Sequence, residues 1–323
     1  MLAVSPQSSG VPDLTHLPDP EPGPGEVLIE IVATALNRAD LLQVRGQYPP
    51  PPGESNVPGL ECAGTITALG EGVKGWHVGD RVMALLAGGG HGEKVAAPVG
   101  QLMPVPEGMA LSDAAGIPEV ALTAWTNLVA EGGLQAGETV LLTGAASGVG
   151  TFTVQLAREL GARVLVSGRS RERLEALRPL GADACCVLGE GFVEEVREAT
   201  GGKGVDLILD LVGGEHLPRC LEVLRYRGRL VLVGLLAGRA AEVDLGLILR
   251  DRLRVIGSVL RARSREEKAD LVRAFSAFGL PRLADGRLKP FIDRKMPFER
   301  IADAYRTLQE GSVLGKIVLE MGE

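Results

Sequence analysis

Thr139-Val140-Leu141-Leu142-Thr143-Gly144-Ala145-Ala146-Ser147-Gly148-Val149-Gly150 reads as a short apolar strand that runs into a glycine turn. Residues 151–160 continue with apolar side chains at helical spacing, so the unit is strand, turn and helix N-terminus. Small residues let the backbone come close to a pyrophosphate, whose charge is met by unpaired amides and the positive end of the helix dipole. A glycine turn alone is weak ground, because any tight strand-to-helix turn favours glycine. Its neighbours supply the context. Strand-like runs follow at 163–167, 184–187, 205–210, 229–234 and 253–259, with helical stretches near 171–180, 191–199 and 215–225 between them. Six strands alternating with helices of crossover length predict a doubly wound parallel α/β sheet of the Rossmann type.

The tip of the second strand bears on the cofactor. An NAD enzyme places Asp or Glu about 20 residues after the glycine motif to hold the ribose hydroxyls. Here the chain has Ser167-Gly168-Arg169-Ser170-Arg171-Glu172-Arg173, with no acid at the tip and three arginines around a serine. Charge-assisted contacts from Arg169, Ser170 and Arg173 suit a 2′-phosphate, which makes NADPH the expected cofactor. The plain alternative is a solvated basic helix start, although cations there oppose the dipole.

Before residue 138 the texture is different. Alternating runs at 27–33 and 63–69 stand between dense Pro and Gly, and helix signals are sparse, as in an irregular β domain. After residue 264 come an amphipathic helix, a Pro-bounded connection, a second helix near 298–309 and a last strand at 316–320. At 323 residues, more than one core is the default. The sequence divides into 1–119, a dinucleotide-binding segment at 120–260, and 261–323.

Composition excludes several classes. Hydrophobic residues make up 45% and charged residues 23%, as in ordinary globular proteins. The net charge of -7 gives no general attraction to phosphate backbones, so nucleic acid is an unexpected partner. No apolar run approaches the roughly 18 residues of a membrane span, and the N-terminal residues lack a secretory pattern, so a cytoplasmic location is expected. Cys62, Cys185, Cys186 and Cys220 show no metal or redox spacing and read as buried free thiols.

Several ordered blocks carry a resemblance: Pro24-Gly25-Glu26-Val27-Leu28, Ala35-Leu36-Asn37-Arg38-Ala39-Asp40, Gly46-Gln47-Tyr48-Pro49-Pro50, Val78-Gly79-Asp80-Arg81-Val82, Ala84-Leu85-Leu86 before Gly88-Gly89-Gly90, Ile117-Pro118-Glu119 with Leu122-Thr123-Ala124, and Gly315-Lys316-Ile317-Val318-Leu319. With the glycine loop, they resemble the zeta-crystallin-like quinone oxidoreductases of the medium-chain dehydrogenase/reductase superfamily, and within them the p53-inducible branch. The resemblance implies a GroES-like β-rich catalytic domain joined to the Rossmann domain, with the active cleft between them. It also implies a homodimer through the last Rossmann strand, 253–259, which would cover an exposed sheet edge.

For the site, the resemblance implies that Asn37, Asp40 and Tyr48 line the place where substrate meets nicotinamide, holding the reduced oxygen by hydrogen bonds. Each has a plain alternative: a turn Asn, a capping Asp, a packing Tyr. Thr123 resembles a nicotinamide-contacting Thr, and Arg173 stands where relatives carry a phosphate-binding Lys. Relatives often have a Tyr near the adenosine phosphate where this chain has Leu188. Ala146, Ser147, Gly148, Val149 and Gly150 form the phosphate loop. Gly213, Gly234, Leu235, Ser258, Val259 and Leu260 follow strand ends where such sheets bind cofactor, or else form plain turns. Lys316 matches a basic position facing the cofactor, or is an exposed lysine opening a strand.

Zinc enzymes of the superfamily carry Cys where this chain has Asn37 and Gly-His-Glu where it has Gly59-Leu60-Glu61, so two ligand positions are lost and no metal is expected. His77 and His91 each stand alone and read as solvent-facing loop residues. Without a Lewis acid, the expected reaction is NADPH-dependent reduction of an already electrophilic acceptor, a quinone first. The Gly88-Gly89-Gly90 and 48–52 loops suggest an open mouth for a planar ring. Reduction of enals or enoyl thioesters is the second reading, and a noncatalytic NADPH-binding or RNA-binding protein the third.

Overall fold

The computed structural model describes residues 1–7 and 10–322, which fall into two compact units, Thr123–Val259 and the remainder, Met1–Leu122 with Leu260–Glu323. In the first, six strands lie in the order Ala184–Val187, Arg163–Gly168, Thr139–Thr143, Val205–Asp210, Leu224–Leu232, Arg254–Gly257, all parallel. By position in the chain this is 3-2-1-4-5-6, the Rossmann order expected from the sequence. The central strands are apolar because helices cover both faces of such a sheet. Val140, Leu141 and Leu142 are fully buried, as are Leu207, Ile208 and Leu209.

Local chemistry adjusts the expected boundaries. The stretch at 171–180 is not one helix: Arg171–Glu175 is α-helical and Arg178–Leu180 is a 3-10 turn, because Pro179 lacks the amide a continuous helix needs. The helix expected at 215–225 splits into a 3-10 turn, Gly214–His216, and Leu217–Glu222, and Arg225 belongs to the next strand. That strand starts at Leu224 rather than 229, and its register with Val205–Asp210 is irregular between Leu224 and Arg229. The last strand is only Arg254–Gly257, so Leu253, Ser258 and Val259 lie outside it.

The other unit is built on a seven-stranded sheet. Its path runs Ile292–Pro297, Lys316–Glu320, Glu26–Ala35, Glu61–Leu69, Arg81–Leu85, Leu102–Pro104, and Lys94–Pro98 also pairs with Glu26–Ala35. Val27, Ile29, Ile31 and Ala33 alternate inward along the central strand, the period of a half-buried antiparallel sheet. Helix Arg265–Ala284 opens on a capping box between Ser264 and Glu267 and passes through Pro281 before ending. Helix Pro118–Trp125 carries the chain from this unit into the parallel one and continues as a π turn, Thr126–Glu131. All four cysteines are free and buried.

Candidate functional site

Strand pairing in the antiparallel unit gathers residues that are remote in sequence. Val318 pairs with Ala35, so Lys316 arrives beside Leu36 and Asn37, and Cys62 pairs with Thr34, so Glu61 arrives there too. Lys316 is 3% exposed, which overturns the alternative of an exposed lysine opening a strand. Its ammonium donates to Leu36 O at 2.7 Å, Asn37 Oδ1 at 2.7 Å and Glu61 Oε1 at 2.6 Å. The fully buried Glu61 also accepts from Asn37 Nδ2 at 2.9 Å, and its second oxygen accepts the Glu119 backbone N–H at 2.9 Å. That amide opens helix Pro118–Trp125, where the dipole favours a carboxylate. Both charges are thus paired and hydrogen-bonded, as burial requires. Asn37 is no turn Asn with an idle side chain: both ends of its amide are held.

Asn37 also precedes helix Arg38–Val44, and Asp40 accepts its backbone N–H at 2.7 Å, so Asp40 does close the first helical turn. Its other oxygen accepts from the Gly59 N–H at 3.2 Å. Burial pushes the Asp40 carboxyl up to about 6, against the opposing pull of these amides, Lys316 and Arg261. His91 Nε2 lies 3.8 Å from Asp40, and His91 Nδ1 shares a 2.9 Å hydrogen bond with the Tyr305 hydroxyl. Burial pulls His91 down to about 3, so the imidazole is neutral at pH 7. The expected solvent-facing histidine is correct for His77, which is exposed beside Asp80, and wrong for His91, which is fully buried. Helix Ile301–Glu310, 214 residues further along, supplies the tyrosine that partners it.

Tyr48 is half-buried in the connection after helix Arg38–Val44. Burial, then the Glu119 carboxylate, pushes its phenol above the ordinary value, so the hydroxyl is a donor at neutral pH. Gly88, Gly89 and Gly90 do not form an open mouth, because all three are buried. A Cβ on Gly88 would stand 2.3 Å from Ser55 O and one on Gly90 2.7 Å from Glu61 O, so these glycines serve close backbone approach. A zinc ion does not fit the residues present: the Lys316 ammonium already sits on Glu61, and Asn37 is engaged by both. Among the described residues no three of His, Cys, Asp and Glu gather as a metal site.

In the parallel unit the chain order reverses between Thr139–Thr143 and Val205–Asp210, the point at which such sheets bind ligands. Ser147 caps helix Gly148–Glu159 by accepting the Gly150 N–H at 3.1 Å, and residues 146–149 are half-buried. A Cβ on Gly150 would meet Ala145 O at 2.3 Å, so only glycine lets helix and turn close this far. Asp210 ties the two strand ends together: Oδ1 accepts from the Thr143 hydroxyl at 2.6 Å and from the amides of Val212 and Gly213 at 2.9 and 3.1 Å. Gly213 and Gly234 pack against each other as strand-end turns, where a Cβ on Gly213 would stand 2.9 Å from Gly234 O.

At the second strand, Ser167 Oγ is buried without a hydrogen-bond partner among the described residues, and Ser170 caps the helix carrying Arg173. Arg169 is exposed. Arg171 is tied to Glu195 at 2.7 Å and the Cys185 carbonyl at 3.2 Å, which separates it from the other two. An orphaned hydroxyl, a capped glycine turn and cations after the second strand fit a dinucleotide. Leu188 packs on the apolar core. Thr123 is buried, Leu235 and Val259 are exposed, Ser258 is half-buried and Leu260 is buried at the start of the returning segment. Sequence reading missed His91, Tyr305, Arg261 and Asp210, since no local spacing signals them.

A model of the alcohol dehydrogenase GroES-like domain matches residues 23–107, and a zinc-binding dehydrogenase model matches residues 148–277. The human synaptic vesicle membrane protein VAT-1 homolog is 33% identical over 94% of this chain and 81% of its own length. A quinone oxidoreductase-like protein 2 homolog of Nematostella vectensis is 29% identical, covering 92% of this chain and 82% of the relative. An acryloyl-coenzyme A reductase of Sulfurisphaera tokodaii is also 29% identical, covering 95% and 96%. Among solved structures, a mycobacterial protein complexed with NADPH superposes with a TM-score of 0.88 at 28% identity over 99% of this chain and all of its own. An NAD-dependent alcohol dehydrogenase superposes at 0.86 with 29% identity over the full length of both. The GroES-like sheet, the Rossmann order and these relatives together show that the chain belongs to the medium-chain dehydrogenase/reductase superfamily, as an oxidoreductase of the NAD(P)-dependent type.

Proposed function

We propose that the chain is an NADPH-dependent quinone reductase working without zinc, of the zeta-crystallin-like, p53-inducible kind. The observation that carries this reading is the Lys316–Glu61–Asn37 cluster, which puts a buried ammonium and an amide where metal-dependent members hold zinc ligands. With no metal to polarise a carbonyl, the acceptor must stabilise incoming electrons through its own conjugation. The bound dinucleotide supplies hydride, and a proton completes the hydroquinone. Ala146 to Gly150 take the pyrophosphate, and Arg169, Ser170 and Arg173 take the 2′-phosphate. Thr123, Gly213, Gly234, Leu235, Ser258, Val259 and Leu260 complete the dinucleotide site. Tyr48 donates its hydroxyl proton to a hydrogen bond with the acceptor oxygen. Asn37 is held by Glu61 and Lys316, so its role is to fix the position of the chain leading to Asp40. Lys316 belongs to the cofactor-facing set in this reading, and its ammonium also holds Asn37 in place through Oδ1.

Reduction of enoyl thioesters is the second reading, supported by the acryloyl-coenzyme A reductase that matches almost end to end. Steady-state NADPH oxidation against quinones, enals and enoyl thioesters separates the two; good turnover of thioesters with none of any quinone would replace the first. NADPH should bind about tenfold or more tightly than NADH, from one charge-assisted phosphate contact of roughly 1.5–3 kcal/mol. Arg173→Ala should narrow that gap by weakening NADPH alone in a titration; equal affinities in the unaltered protein would sink the cofactor assignment. Activity should survive chelator. The homodimer belongs to the same reading: Arg254–Gly257 is a terminal strand of its sheet with Val255 45% exposed, and pairing with a second copy would cover it. Four buried free thiols suit the reducing cytoplasm. Sedimentation at low concentration tests the dimer.

A further inference from the structure

Arg261 is 4% exposed, yet every acceptor of its guanidinium among the described residues is neutral. Nε donates to Ala87 O at 2.7 Å, one terminal nitrogen to Tyr48 O at 3.0 Å, and the other to Gln43 Oε1 at 2.6 Å. The guanidinium carbon stands 5.1 Å from the centroid of the Tyr48 ring, within reach of a cation–π contact. Gln43 in turn donates to Asn56 O at 3.0 Å. Arg261 therefore holds Gln43 and Tyr48 directly and Asn56 through Gln43, along a stretch of prolines and glycines with no helix or strand of its own after Val44. Its bonded acceptors are neutral, and the Asp40, Glu119 and Glu54 carboxylates favour its charge through space against the cost of burial; packing alone would be served as well by an apolar residue. Three acceptors, one for each guanidinium nitrogen, with an aromatic ring beside them match the rigid fork of arginine and not the single point of a lysine.

We infer that Arg261 is a positioning residue for the electron acceptor: it fixes the Tyr48 ring and keeps a positive charge against it, so that the Tyr48 hydroxyl is held toward an acceptor oxygen that gains negative charge. This rests on the reductase reading above. The fixed charge strengthens the Tyr48 hydroxyl as a donor, and the fork removes the conformational freedom that a proline–glycine loop would otherwise keep.

The test is a double-mutant cycle on holoenzyme with the best acceptor of the panel, using Arg261→Lys and Tyr48→Ala, together with hydrogen exchange of the amides from 45 to 56. Arg261→Lys should lower kcat/KM for the acceptor about tenfold or more with the NADPH Kd unchanged, and should have under about twofold effect once Tyr48 is alanine. The same substitution should speed exchange in the 45–56 segment. Equal losses in both Tyr48 backgrounds, or unchanged exchange, would overturn the inference. Gln43→Met, which removes the 2.6 Å acceptor, should give the same exchange change if Arg261→Lys does not fold. Absence of turnover by the unaltered protein with every acceptor would defeat the functional reading instead, and exchange would still decide whether Arg261 holds the loop.

Discussion

The two units bury polar groups for different purposes. In the parallel unit they serve the backbone: Asp210 holds the amides of Val212 and Gly213, Ser147 caps a helix, and Arg229 forks onto Glu138 while reaching the Gly132 and Gly133 carbonyls. In the antiparallel unit they also engage one another: Lys316, Glu61 and Asn37 bond mutually while holding the Leu36 carbonyl and the Glu119 amide, and Asp40, which holds the Asn37 and Gly59 amides, stands 3.8 Å from a His91 that is bonded to Tyr305. A regular sheet satisfies its own backbone and needs polar side chains only at its ends. An irregular one leaves room for a polar interior, which is where a site able to act on a substrate can be built.

The sharpest way to break this contrast is to remove one buried charge from each unit. Lys316→Met leaves the fully buried Glu61 carboxylate without its cation, and should cost about 3–5 kcal/mol of stability in a denaturant titration. Arg229→Met should cost less, because Glu138 is 17% exposed against 0% for Glu61 and can rehydrate. Equal losses would mean that Glu61 finds another partner and that the mutually bonded group is not the special feature of its unit.

A somewhat smaller effect concerns pH. His91, lowered to about 3, binds its proton more weakly folded than unfolded, so its stabilisation is present above about 6.5 and is lost as pH falls toward 3. Asp40, raised to about 6, has the opposite sign: it favours the folded state below about 4 and that contribution disappears as pH rises through 6. Between about pH 4 and 6 the two nearly cancel. Asp40→Asn removes the compensation, and stability should then fall by up to about 3 kcal/mol more across that window on acidification than in the unaltered protein. Parallel pH profiles for the two proteins would contradict the assignment.

The smallest effect sits in the parallel unit. Ser147→Ala removes the cap on Gly150 N–H, and should cost about 1 kcal/mol of stability. Its unfolding midpoint should move by the same amount at pH 5 and pH 7, since no titrating group is involved. A pH-dependent loss would show that the contrast between the units is drawn in the wrong place.

The sequence by itself determined the parallel unit almost entirely. Strands 139–143, 184–187 and 205–210 begin and end where expected, because runs of Val, Leu and Ile between turn residues are local signals that survive folding unchanged. Boundaries moved where a local rule competed, as Pro179 did in the helix after the second strand, and in the last two strands, which run Leu224–Leu232 and Arg254–Gly257. Asn37, Asp40 and Tyr48 were legible as candidates through resemblance, but their surroundings were not. Lys316 meets Asn37 only because Lys316–Glu320 returns to pair with the strand ending at Ala35, and Arg261 meets Tyr48 across 213 residues. Tertiary structure alone decided those meetings, since hydrogen bonds between side chains remote in the chain leave no periodicity for a sequence to show, and whether a charge is tolerable inside depends on the partner that folding brings to it.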